Sequence, residues 1–525
     1  MPISFSQIPA NLKIPLYWVE VDPSMAGLPV IGLPALLVGT MISPEGSATP
    51  NIPIAIGSQA QADAAFGQGS ELSRMFIAYF ANNFANMVYG LPVTPPSGAV
   101  AATGEITITT PPTEAGTIAL YIGGENVPVD IAPSDTATEI AAAIVDAINL
   151  QPDLPVTATS AAGVVTLTCL WAGINGNDIS VTTNYYGTIG GEVTPPGLVM
   201  TLPATGMLTG GSGVPNFANA IAALGEQNFE YVAIPYTDSE SLMAWETEYG
   251  FTDVGRWGWM RQLYGHLFTA RRDTYTNLIT WGETRNNGVT SAMAIEPQSP
   301  SPVYEWAAAY ASQAQRALIN DPARPLQTLP FNGIKLAPLN NRFNTLELQG
   351  LATSGIATQK AGSSGLPMIS RETTTYQLNL YGMPDDAYEL VTTLATLARL
   401  IRNQKAQITT KFPRCKLAED GTRFGPGQVI VTPSIVKGEL IAEYQTDMYN
   451  GLVQDADDFA TNLLVEIDDT DPNRLNVLYP PDLIGQLRVF AVLAQFRLQT
   501  NTEIDAASGA NIGITGVLPA TPIPT

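Results

Sequence analysis

Glycine and proline interrupt this chain along its whole length, 46 and 41 of them in 525 residues, and they gather in no single tract. Glycine supplies backbone conformations closed to other residues, and proline removes a hydrogen-bond donor. Punctuation of this kind selects many turns and short strands rather than a disordered tail. The length exceeds one ordinary core, so two to four domains are expected. Only 14% of residues are charged, so the chain must rely on backbone pairing, uncharged polar groups and buried contacts between subunits.

The balance of those charges is acidic, 47 carboxylates against 24 basic residues, for a formal charge of −23. A field of that sign repels phosphate backbones and anionic membranes, which excludes nucleic acid as a direct partner and favours solubility. Cys169 and Cys415 are the only cysteines and lie far apart, too few for a disulfide framework or a cysteine-rich metal site. No segment approaches the roughly 20 apolar residues of a membrane-spanning helix. The stretch 1–21, with its prolines and single lysine, is a poor signal peptide. The expectation is a soluble protein made in the cytoplasm, without membrane insertion.

Periodicity divides the chain. In residues 1–95, "ISFSQIPANLKIPLYWVEV" is extended, "LPALLVGT" (33–40) reads as a buried strand, and two short helices follow, the second capped by Ser70. From Pro95 to about Thr205, Thr, Val, Ile and Gly dominate and basic residues vanish. Strands 117–122 and 127–131 form a hairpin through Gly123-Gly124. One helix follows, marked by the capping-box pair Thr136 and Glu139 and by Ile140, Ile144 and Ile148. Val165, Leu167 and Cys169 alternate on one strand face. This β-rich module, bounded by proline pairs, reads as a projecting insertion.

Residues 206–340 alternate helices near 216–225, 239–249 and 272–280 with strands at 229–237 and 289–296, and Pro302 opens a long helix to Asn320. That order predicts an α/β layer with a mainly parallel sheet. The rest is mixed: a helix from Asp385 bearing Leu390, Leu394, Leu397 and Ile401, and helical spacing of Leu483, Leu487, Phe490, Ala494 and Leu498 after Pro481. The fold class is therefore α/β, a mixed α+β multidomain chain.

Catalytic constellations are missing. His266 is the only histidine; it sits among aromatic and apolar residues and reads as a structural histidine, so no Ser-His-Asp or Cys-His triad and no histidine zinc site can be built. "LTGGSGV" (208–214) lacks the lysine of a phosphate-binding loop and reads as a flexible connection. The acids Asp455, Asp457 and Asp458, and Asp468, Asp469 and Asp471, fit no calcium loop and read as solvated surface. No catalytic, cofactor or metal residue is assigned. One basic grouping breaks the acidic trend: Arg399, Arg402, Lys405, Lys411, Arg414, Lys416 and Arg423. It is a helix terminus with a solvated loop, or an electrostatic docking face.

Several stretches, taken in order, resemble tail sheath proteins of contractile phages, specifically the Mu-like branch. These are "ISFSQIPANLKIPLYWVEVDPSMAG" with "LPALLVGT", "QADAAFGQGSELSRM", "NNRFNTLELQGLATSGIATQKAGSSGLPMISRETTTYQLNLYGMPDDAY" with Arg371, Thr373, Thr374, Thr375 and Tyr376, and "DPNRLNVLYPPDLIGQLRVFAVLAQFRL". The resemblance implies a structural subunit, not an enzyme and without cofactor. Such subunits form hexameric rings stacked helically around an inner tail tube protein, end on baseplate and tail terminator proteins, assemble in the host cytoplasm and reside in the virion tail. It also implies arms that add strands to a neighbour's C-terminal domain.

On that basis the expected divisions are an N-terminal arm (1–21), a first core segment (22–95), the inserted protruding module (96–205), the alternating domain (206–340), a C-terminal sheath domain (341–498) and a C-terminal arm (499–525). Arm candidates are Ile14, Leu16, Tyr17, Trp18, Val19 and Val21, with Ile512, Ile514, Val517 and Leu518. Tube-facing candidates, by the same analogy, are Arg399, Arg402, Lys405, Arg488 and Arg497. The rival readings are the sheath of a bacteriocin or type VI-like machine, and a secreted adhesin suggested by the Thr-rich strands of 96–205.

Overall fold

The structure, a computed structural model, describes residues 32–496. Gln486 closes the first of two compact units and Leu487 opens the second. The apolar run at the start becomes β1 (Ala35–Thr40), buried at all six positions. A strand apolar at every position needs cover on both faces, which a parallel sheet flanked by helices provides. The chain continues through β2 (Ile54–Ile56), α1 (Gln59–Phe66), α2 (Glu71–Phe80) and β3 (Val88–Val93). Ser58 and Ser70 cap the two helices by accepting from the backbone of Gln61 and Ser73, as their short hydroxyl side chains favour.

A β-rich region interrupts the layer: β4 (Ala101–Thr110), β5 (Gly116–Ile122), β6 (Glu125–Ile131), α3 (Ala137–Asn149), β7 (Val156–Ala161), β8 (Val164–Ala172), β9 (Val181–Thr183) and β10 (Val199–Thr201). Its strands form two antiparallel sheets, ordered β10-β4-β8-β7 and β6-β5-β9. The Gly123-Gly124 turn has positive φ at both residues, the conformation that matches the twist of a two-residue hairpin. Thr136 and Glu139 make the capping box, and Ile140, Ile144 and Ile148 are fully buried. The stretch expected as a flexible connection is instead pinned. Thr209 exchanges both backbone hydrogen bonds with Thr103, and Ser212 does so with Val100; polar backbone there finds partners on the edge of β4.

The layer resumes with α4 (Ala218–Leu224), β11 (Tyr231–Ala233), α5 (Ser239–Glu248), β12 (His266–Arg272), α6 (Tyr275–Glu283), β13 (Thr290–Ile295) and α7 (Val303–Asn320). The six-stranded sheet is ordered β13-β12-β11-β1-β3-β2, parallel except for β2. Helix α6 starts later than its apolar pattern predicts because Thr274 caps it, accepting from Asn277 N. Leu37 joins Phe66, Met75, Tyr304 and Trp306 in the core on one face. Leu36 and Val38 join Leu242, Trp245 and Leu394 on the other, the period-two alternation of a strand.

The remaining elements are α8 (Thr345–Thr353), β14 (Thr358–Ala361), β15 (Pro367–Arg371), α9 (Val391–Lys411), β16 (Lys416–Leu417), β17 (Ile430–Val431), α10 (Pro433–Tyr449), α11 (Ala456–Asn462), β18 (Leu464–Ile467) and β19 (Leu475–Leu478). Leu400, Val436, Leu440, Tyr444, Phe459 and Leu463 give this part its own core. The fold is thus mixed α/β, as expected. Two helix expectations change. Helix α9 begins at Val391, not Asp385, because the Thr-rich segment holds the preceding residues extended: Thr374 N donates to Glu389 O and Val391 N to Glu372 O. No helix follows Pro481 among the described residues. Gln454 N donates to Asp482 O and Ile484 N to Leu452 O, so the chain there is spent pairing with the α10–α11 connection, while Leu487 to Phe496 carry no regular structure.

A buried arginine ties the β-rich region to the layer. Arg74 on α2 is 2% exposed and pairs with Glu305 on α7 at 2.5 Å. It also donates to the Asp153 carbonyl at 2.7 Å and the Gly123 carbonyl at 3.4 Å. Removing one partner of a buried pair strands the other charge, at a cost of about 3–5 kcal/mol. Arg74→Met is therefore expected to lose about that much stability in denaturant unfolding, with Arg74→Met/Glu305→Gln recovering part of it. A loss under about 1 kcal/mol would contradict this role.

Candidate functional site

The C-terminal part carries three two-stranded sheets, and that of β18 and β19 is an antiparallel hairpin with exposed apolar residues. The two strands pair antiparallel from Leu464↔Leu478 to Ile467↔Leu475, and no third strand joins them among the described residues. An isolated two-stranded ribbon is marginal in water and needs further strands or a helix beneath it. Here α10 supplies the support. Tyr444 stacks on Phe459 with ring centroids 3.7 Å apart, Tyr479 closes on Phe459 edge-on at 5.1 Å, and Tyr444 Oη donates to the Gln454 carbonyl at 2.6 Å. No strand covers the hairpin's outer edges among the described residues, and Leu464 (55% exposed), Val477 and Leu478 remain exposed.

The turn between the strands is built by Asp468. Its carboxylate accepts from Thr470 N at 2.8 Å, Thr470 Oγ1 at 2.6 Å, Asp471 N at 3.0 Å and Asn476 Nδ2 at 2.9 Å. Those donors stabilise the charged form and hold its pKa well below the usual carboxylate range. The acids read as surface thus have a definite task, and Asp455 has another, capping α11 by accepting from Asp458 N. Sequence reading missed this hairpin. The signal was available: "LVEI" and "LNVL" flank a turn of Asp, Thr, Pro and Asn, a strand–turn–strand pattern.

The other expected sites fall as follows. Ile14, Leu16, Tyr17, Trp18, Val19, Val21, Ile512, Ile514, Val517, Leu518 and Arg497 lie outside the described residues. Arg488 falls in the second unit, in a stretch where Leu487, Val489, Phe490, Val492, Leu493 and Phe496 are all exposed. On α9, Arg399 donates to the Ile319 carbonyl at 2.7 Å. Arg402 grips the buried Glu230 at 3.0 and 2.6 Å and lies over the Tyr264 ring. Lys405 is exposed and donates to Gln262 at 2.8 Å. The α9 arginines therefore join the C-terminal part to the alternating layer, and Lys405 is the α9 candidate that faces solvent.

Enzyme-like features resolve into structure. His266 is buried against the Val289 carbonyl, and burial lowers its pKa to about 4. Cys169 is buried, which pushes its thiol up to about 12. Parallel sheets of this topology hold ligands where strand order reverses, here at the C-terminal ends of β1 and β11. The chain's own groups fill that position: Glu71 accepts from Thr40 N at 2.7 Å, Asn175 Nδ2 at 2.6 Å and Tyr236 Oη at 3.3 Å. Among the described residues, no cluster of three or more His, Cys, Asp or Glu can hold a metal, and no helix is long and apolar enough to cross a membrane.

Comparison with known proteins places the chain. Residues 210–365 match the phage tail sheath protein central domain, and residues 383–497 the phage tail sheath C-terminal domain. The Mu-like prophage FluMu tail sheath protein of Haemophilus influenzae is 37% identical over 500 residues, covering 95% of this chain and all of that protein. Solved structures that align with it include the sheath tail protein of Desulfitobacterium hafniense, with a TM-score of 0.44 and 12% identity over 90% of this chain and all of that one. Another is the contracted helical sheath of the anti-feeding prophage, with a TM-score of 0.40 and 10% identity over 93% of this chain and all of that one. The chain belongs to the phage tail sheath family, and the resemblance drawn from its sequence stands.

The pH dependence of the hairpin follows from Asp468. A depressed folded pKa stabilises above the unfolded value, about 4, and that contribution fades as pH falls through the folded one. The melting-temperature gap between wild type and Asp468→Ala is expected to be full at pH 6 and to close below about pH 4. A gap independent of pH would remove Asp468's charge from the account.

Proposed function

We propose that this chain is the structural, non-enzymatic subunit of a contractile tail sheath. Copies form hexameric rings that stack helically around an inner tail tube, bounded by baseplate and tail terminator proteins, and contraction drives the tube through the target envelope. Assembly takes place in the host cytoplasm and the product resides in the virion tail. The observation that supports this reading, beside family membership, is the β18–β19 hairpin, which no third strand joins among the described residues.

A neighbour's arm pairs with such an edge. Ile14, Leu16, Tyr17, Trp18, Val19 and Val21 serve the N-terminal arm, and Ile512, Ile514, Val517 and Leu518 the C-terminal one. Each four-residue edge offers about four ladder hydrogen bonds, each worth about 0.5–1.5 kcal/mol net. Ordering an arm costs about 1–2 kcal/mol per residue. Backbone pairing alone therefore comes out near balance, and apolar burial over Leu464, Val477 and Leu478 must tip it. Links of this kind keep subunits connected while whole domains rotate and re-pack.

Lys405, Arg488 and Arg497 are proposed to face the tube, whereas Arg399 and Arg402 are spent within the subunit on the Ile319 carbonyl and Glu230. Reversing Arg402 would also strand the buried Glu230, so Lys405→Glu is the informative change on α9. It should weaken tube binding in co-sedimentation more than it weakens sheath polymerisation; equal loss of both would assign Lys405 to the lattice.

Deleting residues 1–21 or 499–525 should leave the circular dichroism and melting temperature of the monomer unchanged. Hollow tubes, seen by negative-stain electron microscopy for the full chain with tube protein present, should then disappear. Truncated chains that still make tubes would overturn the arm assignment.

A further inference from the structure

Just before α9 the chain makes a tight hairpin whose tip stands in solvent. Leu380 and Tyr381 are 102% and 90% exposed, and Met383 is 61% exposed. The finger is braced by its own hydrogen bonds. Asn379 N donates to Met383 O and Gly382 N to Asn379 O, both at 2.9 Å, while the Asn379 side chain accepts from the backbone of Tyr381 and Met383. Gly382 takes φ +73, a conformation open to glycine. At its base Asn286 accepts from the backbone of Gln377 and Leu378 and donates to the Leu378 carbonyl. A pre-organised apolar tip loses little entropy on docking, and adjacent exposed apolar side chains mark an interaction surface.

At the other end of α9 lies an apolar groove of about 480 Å³, lined by Ile408, Phe412, Cys415, Leu417, Leu475 and Val477 among others. Leu475 and Val477 stand two apart on β19 and so share a face of the hairpin. The groove thus runs along that face and leaves the outer edges to strand pairing.

We propose that the finger of one copy of this chain seats in the groove of a second copy. The charges match: the exposed Asp386 stands beside Asp385 at the finger's base, and the exposed Arg414 and Lys416 flank Cys415 at the groove. The finger of a chain cannot reach the groove of that same chain. Ile408 and Phe412 lie roughly 25–30 Å along α9 from its start, whereas a finger this short reaches about 10 Å. Because finger and groove are different surfaces, the contact is head-to-tail and repeats into rings or helical filaments. The inference rests on the proposed assembly and adds a contact to it beyond the arms.

Cys415 supplies half of a trap, and the other native cysteine, Cys169, is buried. Full-length Leu380→Cys protein is oxidised mildly at polymer-forming concentration, and soluble and pelleted fractions are run on non-reducing gels. The expected result is a ladder of dimers and higher multiples that reductant abolishes and Cys415→Ala removes. Leu380→Asp/Tyr381→Asp should lower the pelleted fraction at least tenfold with unchanged circular dichroism. Tubes without a ladder would overturn the finger–groove contact and leave the sheath reading standing. A dimer band that survives Cys415→Ala would place finger against finger and overturn it equally. Absence of polymers in every fraction, with tube protein added, would remove both readings.

Discussion

The Arg74 guanidinium, enclosed between α2, α7 and the β-rich region, sets the character of the molecule. A cation removed from water is tolerated only when every donor finds an acceptor, so its neighbours are fixed in place with it. The same device recurs at other seams. Arg272 pairs with Asp178 of the β-rich region at 2.6 Å, Arg256 is fully buried against Glu248, and Arg402 joins α9 to Glu230. A chain with only 24 basic residues thus places several inside, which stiffens the body and leaves the outside acidic. The formal charge of −23 is thereby concentrated on the outside, where it repels other anions.

Stiffness on one side makes sense of openness on another. A subunit that transmits a contraction must move as a body, while its links to neighbours survive the motion. The β18–β19 hairpin suits that demand, since Tyr479 at its end packs on Tyr444 of α10 and Phe459 of α11, and no further strand joins its outer edges among the described residues. Edge strands are ordinarily blunted, because they invite pairing with another chain. In the proposed pairing, a short edge limits each link to a few hydrogen bonds, so an assembly built on it would gain strength from repetition rather than from any single joint.

Much of this was legible in the sequence, for reasons that particular residues make clear. The all-apolar run 33–40, the capping box at Thr136 and the isoleucines every four residues are local signals, and local signals survive folding. The misreadings arose where long-range pairing overrides local pattern. Asp385 to Leu390 have the composition of a helix start, but the Thr-rich segment claims their backbone. The residues after Pro481 have helical spacing, yet the α10–α11 connection takes the first of them as an extended strand-like partner. The Gly-rich 208–214 reads as a linker until the edge of β4 is seen to hold it. The Asp run at 468–471 gave its charges but not its purpose, because an Asx-capped turn is recognisable only once both flanking strands are seen together.

Hydrogen–deuterium exchange of the hairpin amides is the most direct measurement of the central claim, that strands from neighbouring copies complete the β18–β19 sheet. The outward-facing amides of Leu464–Ile467 and Leu475–Leu478 should exchange quickly in the monomer and become protected by orders of magnitude in assembled tubes, whereas the inward-facing amides of the β18–β19 ladder change little. Outward amides that remain equally fast in monomer and tube would contradict strand addition at this hairpin and move the subunit link elsewhere.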